Sequence, residues 1–168
     1  MLRLDGMSAC IELAGFAAAQ AVCCLFDRIP LPPLAFSRRG AGAPTVTILS
    51  SGTPSEVAAQ GSRWLEVNVD QADEAVVVYD GYVTITGIRR DALVLELRAY
   101  RQPVAEYRMA VPYRPHRDPD GFAVYRPKFI VRTVEEHDGA ALREAFFRGV
   151  SSHDVGRRIW QTCADQGW

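Results

Sequence analysis

Between residues 64 and 133 the chain reads as a succession of strand-like runs whose connectors are too short to hold a helix. That spacing limits how the runs can pair. The runs cover residues 64–69, 74–86, 91–100, 104–114 and 122–133. A parallel neighbour needs a crossover of a dozen or more residues, whereas an antiparallel one needs only a tight turn. The connectors at 86–90 and 101–103 therefore impose sequential hairpins, an antiparallel meander of about five to six strands. Leu93, Leu95, Leu97 and Ala99 alternate with polar or mixed positions, as expected of a strand with one face on a core. Gly81, inside Tyr79-Asp80-Gly81-Tyr82, predicts either a bulge or a turn that divides its strand.

Helices are expected at both ends. Ser8 is suited to cap a helix running to Phe26, with Ile11, Ala14, Ala18, Val22, Leu25 and Phe26 as its apolar stripe. Residues 1–7 then read as a disordered leader, Met7 being a candidate start. Pro30, Pro32 and Pro33 end the helix, and residues 30–44 read as an extended loop. Residues 45–49 form a short strand pattern. Thr53-Pro54-Ser55-Glu56 supplies a capping box with proline at N1, opening a short helix that ends near Gly61. Near the C-terminus, Asp138 caps a segment over 140–147, with Leu142, Ala145 and Phe146 inward. Gly149 breaks it, and Ser151 or Ser152 caps a second segment to Gln166 with Val155, Ile159, Trp160 and Cys163 as its stripe. The sum is one α+β domain over 1–168, with N- and C-terminal helices on one face of the sheet.

Several chemistries are excluded by what the chain lacks. Lys128 is the single lysine among 19 basic residues, so 18 are arginine, a bias that fits a GC-rich bacterial genome. No P-loop, GxGxxG, GxSxG or HExxH pattern occurs, and the net charge of -1 provides no global attraction for nucleic acid. His116, His137 and His153 are dispersed, and no cofactor or metal is expected. The His137-Asp138 and His153-Asp154 dipeptides fall at helix starts, where they read as caps. Asp80, Asp91 and Glu96 lie on strands and could pair as carboxylates. Cys10, Cys23, Cys24 and Cys163 have no CxxC spacing and read as buried thiols. Glu12 and Gln20 interrupt the apolar N-terminal run, so a cytoplasmic protein with no membrane contact is expected.

The doubled motif Tyr113-Arg114-Pro115 and Tyr125-Arg126-Pro127 flanks a turn at Asp118-Pro119-Asp120-Gly121. With a type I turn there, Tyr113 opposes Arg126 and Arg114 opposes Tyr125. That register puts Tyr107, Met109, Val111, Phe122, Val124 and Ile130 on one apolar face, together with Arg126 and Lys128. Two readings follow. In the first, Tyr113, Arg126 and Lys128 hold a small anionic ligand in a non-catalytic cavity between sheet and helices. In the second, Arg114, His116 and Tyr125 form an interaction surface, the hairpin 104–133 serving protein association or a homodimer. A one-residue slip at the prolines would instead send both cations to solvent.

Overall fold

The computed structural model describes residues 2–101, 103–132 and 139–167. Its elements are α1 (Leu2–Phe26), β1 (Leu34–Arg38), β2 (Thr45–Ile48), α2 (Pro54–Val67), β3 (Glu74–Ile85), β4 (Ile88–Ala99), β5 (Ala105–Arg114), β6 (Ala123–Val124), β7 (Lys128–Arg132), α3 (Gly139–Ser151) and α4 (Asp154–Cys163). The fold is α+β. A seven-stranded sheet runs in the order β2-β1-β3-β4-β5, and β6 and β7 both pair with β5. Every pairing between named strands is antiparallel, and β3 to β5 form the expected meander.

The two faces of the sheet are covered unequally. On one face Leu34, Phe36, Val76, Val78, Leu93, Leu95, Leu97, Met109 and Val111 join α1, α3 and α4 in the main core. Each fully buried side chain of this size contributes about 1.5–3 kcal/mol. The alternate residues Ala35, Ala75 and Val77 point the other way, onto α2 through Leu65 and Trp64. Beyond α2 this second face carries charge instead, with Arg108 paired to Glu96 at 2.8 Å and Arg98 paired to Glu106.

α1 is buried almost all round, because the sheet lies on one side of it and α3 and α4 on the other. By length and composition Gly6–Phe26 could cross a bilayer. Its apolarity is accounted for by packing: Cys10, Ile11, Leu13, Ala14, Ala17, Ala18, Ala21 and Val22 are all fully buried. The helix begins at Leu2, six residues before Ser8, so residues 2–7 are helical and Met7 belongs to the core. Ser8 caps nothing; its hydroxyl accepts a hydrogen bond from Arg148 of α3.

Other sequence expectations are revised. The segment 30–44 is not simply a loop, because its residues 34–38 form β1, a strand paired on both sides. The Thr53 capping box is present, with Glu56 N donating to Thr53 Oγ1 and Thr53 N to Glu56 Oε2. α2 nevertheless continues through Gly61 to Val67 and takes up residues 64–67 of the run at 64–69 expected as a strand. Gly81 makes neither bulge nor turn. It lies in register opposite Ala92, where a side chain would press on Val94. α3 passes through Gly149, and α4 is capped by His153 rather than by Ser151 or Ser152. The proposed caps at Asp138 and at His137-Asp138 lie outside the described residues.

Candidate functional site

The register of β5 with its partners decides where the expected site residues go. The turn at Asp118–Gly121 forms, with Gly121 N donating to Asp118 O at 2.9 Å, but a second turn from Pro115 to Asp118 precedes it. The added turn displaces the returning strand by two residues. Tyr113 opposes Val124 and Arg114 opposes Ala123. Past Pro127, which has no N–H to donate, pairing resumes with Lys128 opposite Ala110, and a further irregularity follows between Arg108 and Met109. The two-residue displacement keeps each side chain on its face, whereas the one-residue slip past Pro127 exchanges the faces.

Consequently the trio Tyr113, Arg126 and Lys128 is not assembled. Lys128 shares a position with Ala110, which packs with Val83 and Ala92 on the face away from α1. Phe129 takes the core position opposite Met109, and Ile130 is exposed. Tyr113 is buried and its hydroxyl donates to Asp80 Oδ1 at 2.7 Å. Arg126 leaves the sheet altogether and reaches Gln166, donating from Nε to Oε1 at 2.9 Å and from Nη2 to the backbone carbonyl at 2.8 Å.

The expected interaction residues also turn inward. Arg114 donates to the carbonyls of Gly121 and Asp120 and lies 3.5 Å from Asp165. Tyr125 is 5% exposed and holds its hydroxyl near the guanidinium groups of Arg90 and Arg114. His116 stacks on Phe122 with ring centroids 4.9 Å apart, and its Nε2 meets Phe26 O at 2.8 Å, the last residue of α1. These contacts fasten the hairpin to the end of the helix.

Arg126 does line a cleft, bounded by the β6–β7 connector, α3 and α4, with a volume of about 660 Å³. Its floor is apolar. Phe147 and Trp160 meet edge to face with centroids 5.9 Å apart, and Val124 and Val150 complete the surface. Two further guanidinium groups line it, from Arg143 on α3 and Arg157 on α4. Arg143 makes no ion pair among the described residues, and Arg157 Nε is buried without an acceptor there. The extended segment after α4 closes one wall, because Asp165 N donates to Val124 O at 2.9 Å. Three cations thus border an apolar slot whose two carboxylates are Glu144 and Asp165, the latter drawn toward Arg114.

Sequence reasoning singled out Trp160 as core and passed over Arg143 and Arg157. The signal was periodic: Arg143 and Phe147 are one turn apart on α3, and Arg157, Trp160, Gln161 and Ala164 follow one stripe of α4.

The other candidate chemistries have local explanations. Asp80 and Asp91 share one sheet face, whereas Glu96 points to the other. Burial pushes the Asp80 carboxyl upward, the Tyr113 hydroxyl opposes that, and the Asp91 charge adds to it. Asp91 pairs with Arg117 at 2.9 Å and Glu96 with Arg108. All four cysteines are free thiols, and burial holds Cys10 far above its ordinary range. No cluster of three or more metal-ligating side chains occurs among the described residues. No protein-family model, curated protein or solved structure matches this chain.

Proposed function

We propose that the protein is a non-catalytic, bacterial cytoplasmic binding protein whose α3–α4 cleft takes a small organic anion with an apolar or aromatic body. The observation that carries this reading is the pairing of an apolar floor, Phe147 and Trp160, with three guanidinium groups at its border. A mostly apolar concavity with a few convergent polar groups is the usual form of a small-molecule site. Arginine suits carboxylate or phosphate because its fork can donate two parallel hydrogen bonds.

The lining residues of the cleft include no histidine or cysteine. That composition favours binding over nucleophilic catalysis. Self-association through the hairpin 104–133 has less support, since Arg114, His116 and Tyr125 direct their polar atoms into the protein.

A thermal-shift screen of aryl and alkyl carboxylates and phosphates against the wild type and Arg143→Ala tests the reading. Compounds that join an apolar group to one anion should raise Tm in the wild type and lose most of that shift in the variant. No stabilising compound, or equal shifts in both proteins, would contradict it.

A further inference from the structure

β2 is an open edge of the sheet. Among the described residues it pairs with β1 alone, at the end of the order β2-β1-β3-β4-β5. The register fixes which of its backbone groups are left over. Leu49 N donates to Pro33 O at 2.8 Å and Ile48 opposes Leu34, so residues 33 and 49 occupy a hydrogen-bonded position of the ladder. Such positions alternate along an antiparallel pair, which turns Thr45 and Thr47 toward β1 and sends the N–H and C=O of Val46 and Ile48 outward. The outward row is bounded on both sides. Pro44 has no N–H, and the side-chain amide of Gln60 spans Ser50 N at 3.2 Å and Ser50 O at 2.9 Å. The open edge therefore offers two donors and two acceptors, on two residues separated by Thr47.

The side chains of this edge are apolar and uncovered. Opposite Phe36 and Leu34, Val46 and Ile48 lie on the α1 side of the sheet, yet they are 50% and 71% exposed, so the helical layer stops short of them. No charged residue occurs from Gly40 to Ser55. Natural sheet edges are commonly protected against pairing by charge, proline or a bulge. β7, on the other side of the sheet, carries Lys128 and Arg132 within its five residues, whereas β2 is Thr-Val-Thr-Ile.

We propose that β2 pairs antiparallel with β2 of a second copy of this chain, about a two-fold axis at Thr47, so that one sheet continues through both subunits. In this register Val46 opposes the partner's Ile48 and Ile48 opposes the partner's Val46, and each pair exchanges two backbone hydrogen bonds. All the outward groups are then used. Centring the axis on Val46 instead would set Ile48 against the partner's Pro44 and lose a donor. Centring it on Ile48 would set Val46 against the partner's Ser50, whose backbone the Gln60 amide holds. The spacing of the edge is thus its own complement, as an isologous two-fold contact requires. On the α1 side the exposed valine and isoleucine meet across the seam, on the other side threonine meets threonine, and no like charges face each other. One four-residue strand from each subunit is a small contact, so the association is reversible and depends on concentration. β2 contributes no residue to the α3–α4 cleft, and the two proposals stand or fall separately.

Sedimentation velocity of the full chain at low salt, from micromolar to near-millimolar concentration, tests it. The wild type should pass from monomer to dimer over that range. Val46→Lys combined with Ile48→Lys sets like charges directly opposite across the seam and should weaken dimerisation at least about tenfold. Val46→Lys combined with Ile48→Glu sets opposite charges at the same two positions and should recover most of that loss. Both double variants alter exposed side chains, and circular dichroism melts confirm that they remain folded. The proposal is overturned if the wild type stays monomeric throughout, even where its edge captures an unrelated extended peptide. It is equally overturned if the double-lysine variant associates like the wild type, or if the lysine-glutamate variant associates no better than the double-lysine one.

Discussion

Arg38 is the residue on which one end of the sheet depends. It donates to Glu74 at 2.7 Å and to the carbonyl of Ala9 in α1 at 2.8 Å, and it lies 3.7 Å from Glu12. Glu74 is only 3% exposed, and burial raises its carboxyl despite the arginine beside it. Removing the guanidinium strands a carboxylate in the interior. Arg38→Ala should therefore lower unfolding free energy by about 3 kcal/mol, read as a reduced urea midpoint. His153 offers a second test at this scale. Its Nδ1 accepts from Gly156 N at 2.9 Å, so its neutral form caps α4, and Nε2 faces Gln20 Oε1 at 2.8 Å. Burial holds it below its ordinary value near 6.5. As pH falls past 6.5 the unfolded chain takes up a proton that the folded state resists, so this contribution is complete above 6.5 and is lost on acidification. His153→Asn keeps an acceptor at the cap and does not titrate. Its stability should fall less than that of the wild type between pH 7 and 5 in parallel urea titrations; an identical slope would deny the histidine this role.

Among the elements, the crossing of α1 and α3 sets how closely the helical layer packs. A Cβ on Gly15 would collide with the carbonyl of Phe146, and one on Gly149 with the carbonyl of Glu12, so two backbones touch where both helices lack side chains. Gly149→Ala should cost about 3 kcal/mol by forcing the helices apart. Gly6→Ala, whose Cβ meets only Arg101 Cδ at 4.0 Å, should be neutral or stabilising by up to about 1 kcal/mol, and paired thermal melts compare them. This crossing explains one limit of sequence reading. Gly149 looks like a helix breaker, and nothing local shows that it faces another glycine 134 positions earlier. β1 was obscured by the prolines before it, because burial on both faces removes the alternation that marks a strand. The meander, the α2 capping box and the terminal helices depend on neighbours in sequence, and those were legible. The placement of Arg126 and Lys128 depends on an extra turn at 115–118, which has no sequence signature as plain as Asn-Gly, and on a one-residue slip where pairing resumes past Pro127.

For the molecule as a whole, three helices cover one sheet face while α2 and a ladder of ion pairs cover the other, and the α3–α4 cleft lies at the margin of the three-helix layer. The α3–α4 cleft combines an apolar floor with three cations, and its residues come from the periodic faces of two helices joined to a strand connector. The most direct test is an amide chemical-shift titration of the 15N-labelled full chain with 2-naphthoate, an aryl carboxylate that meets the stated requirements. The account predicts saturable shifts concentrated on Val124 to Arg126, Arg143 to Phe147 and Arg157 to Gln166, suppressed in Arg143→Ala. Absence of saturable shifts, or shifts undiminished in Arg143→Ala, would contradict it.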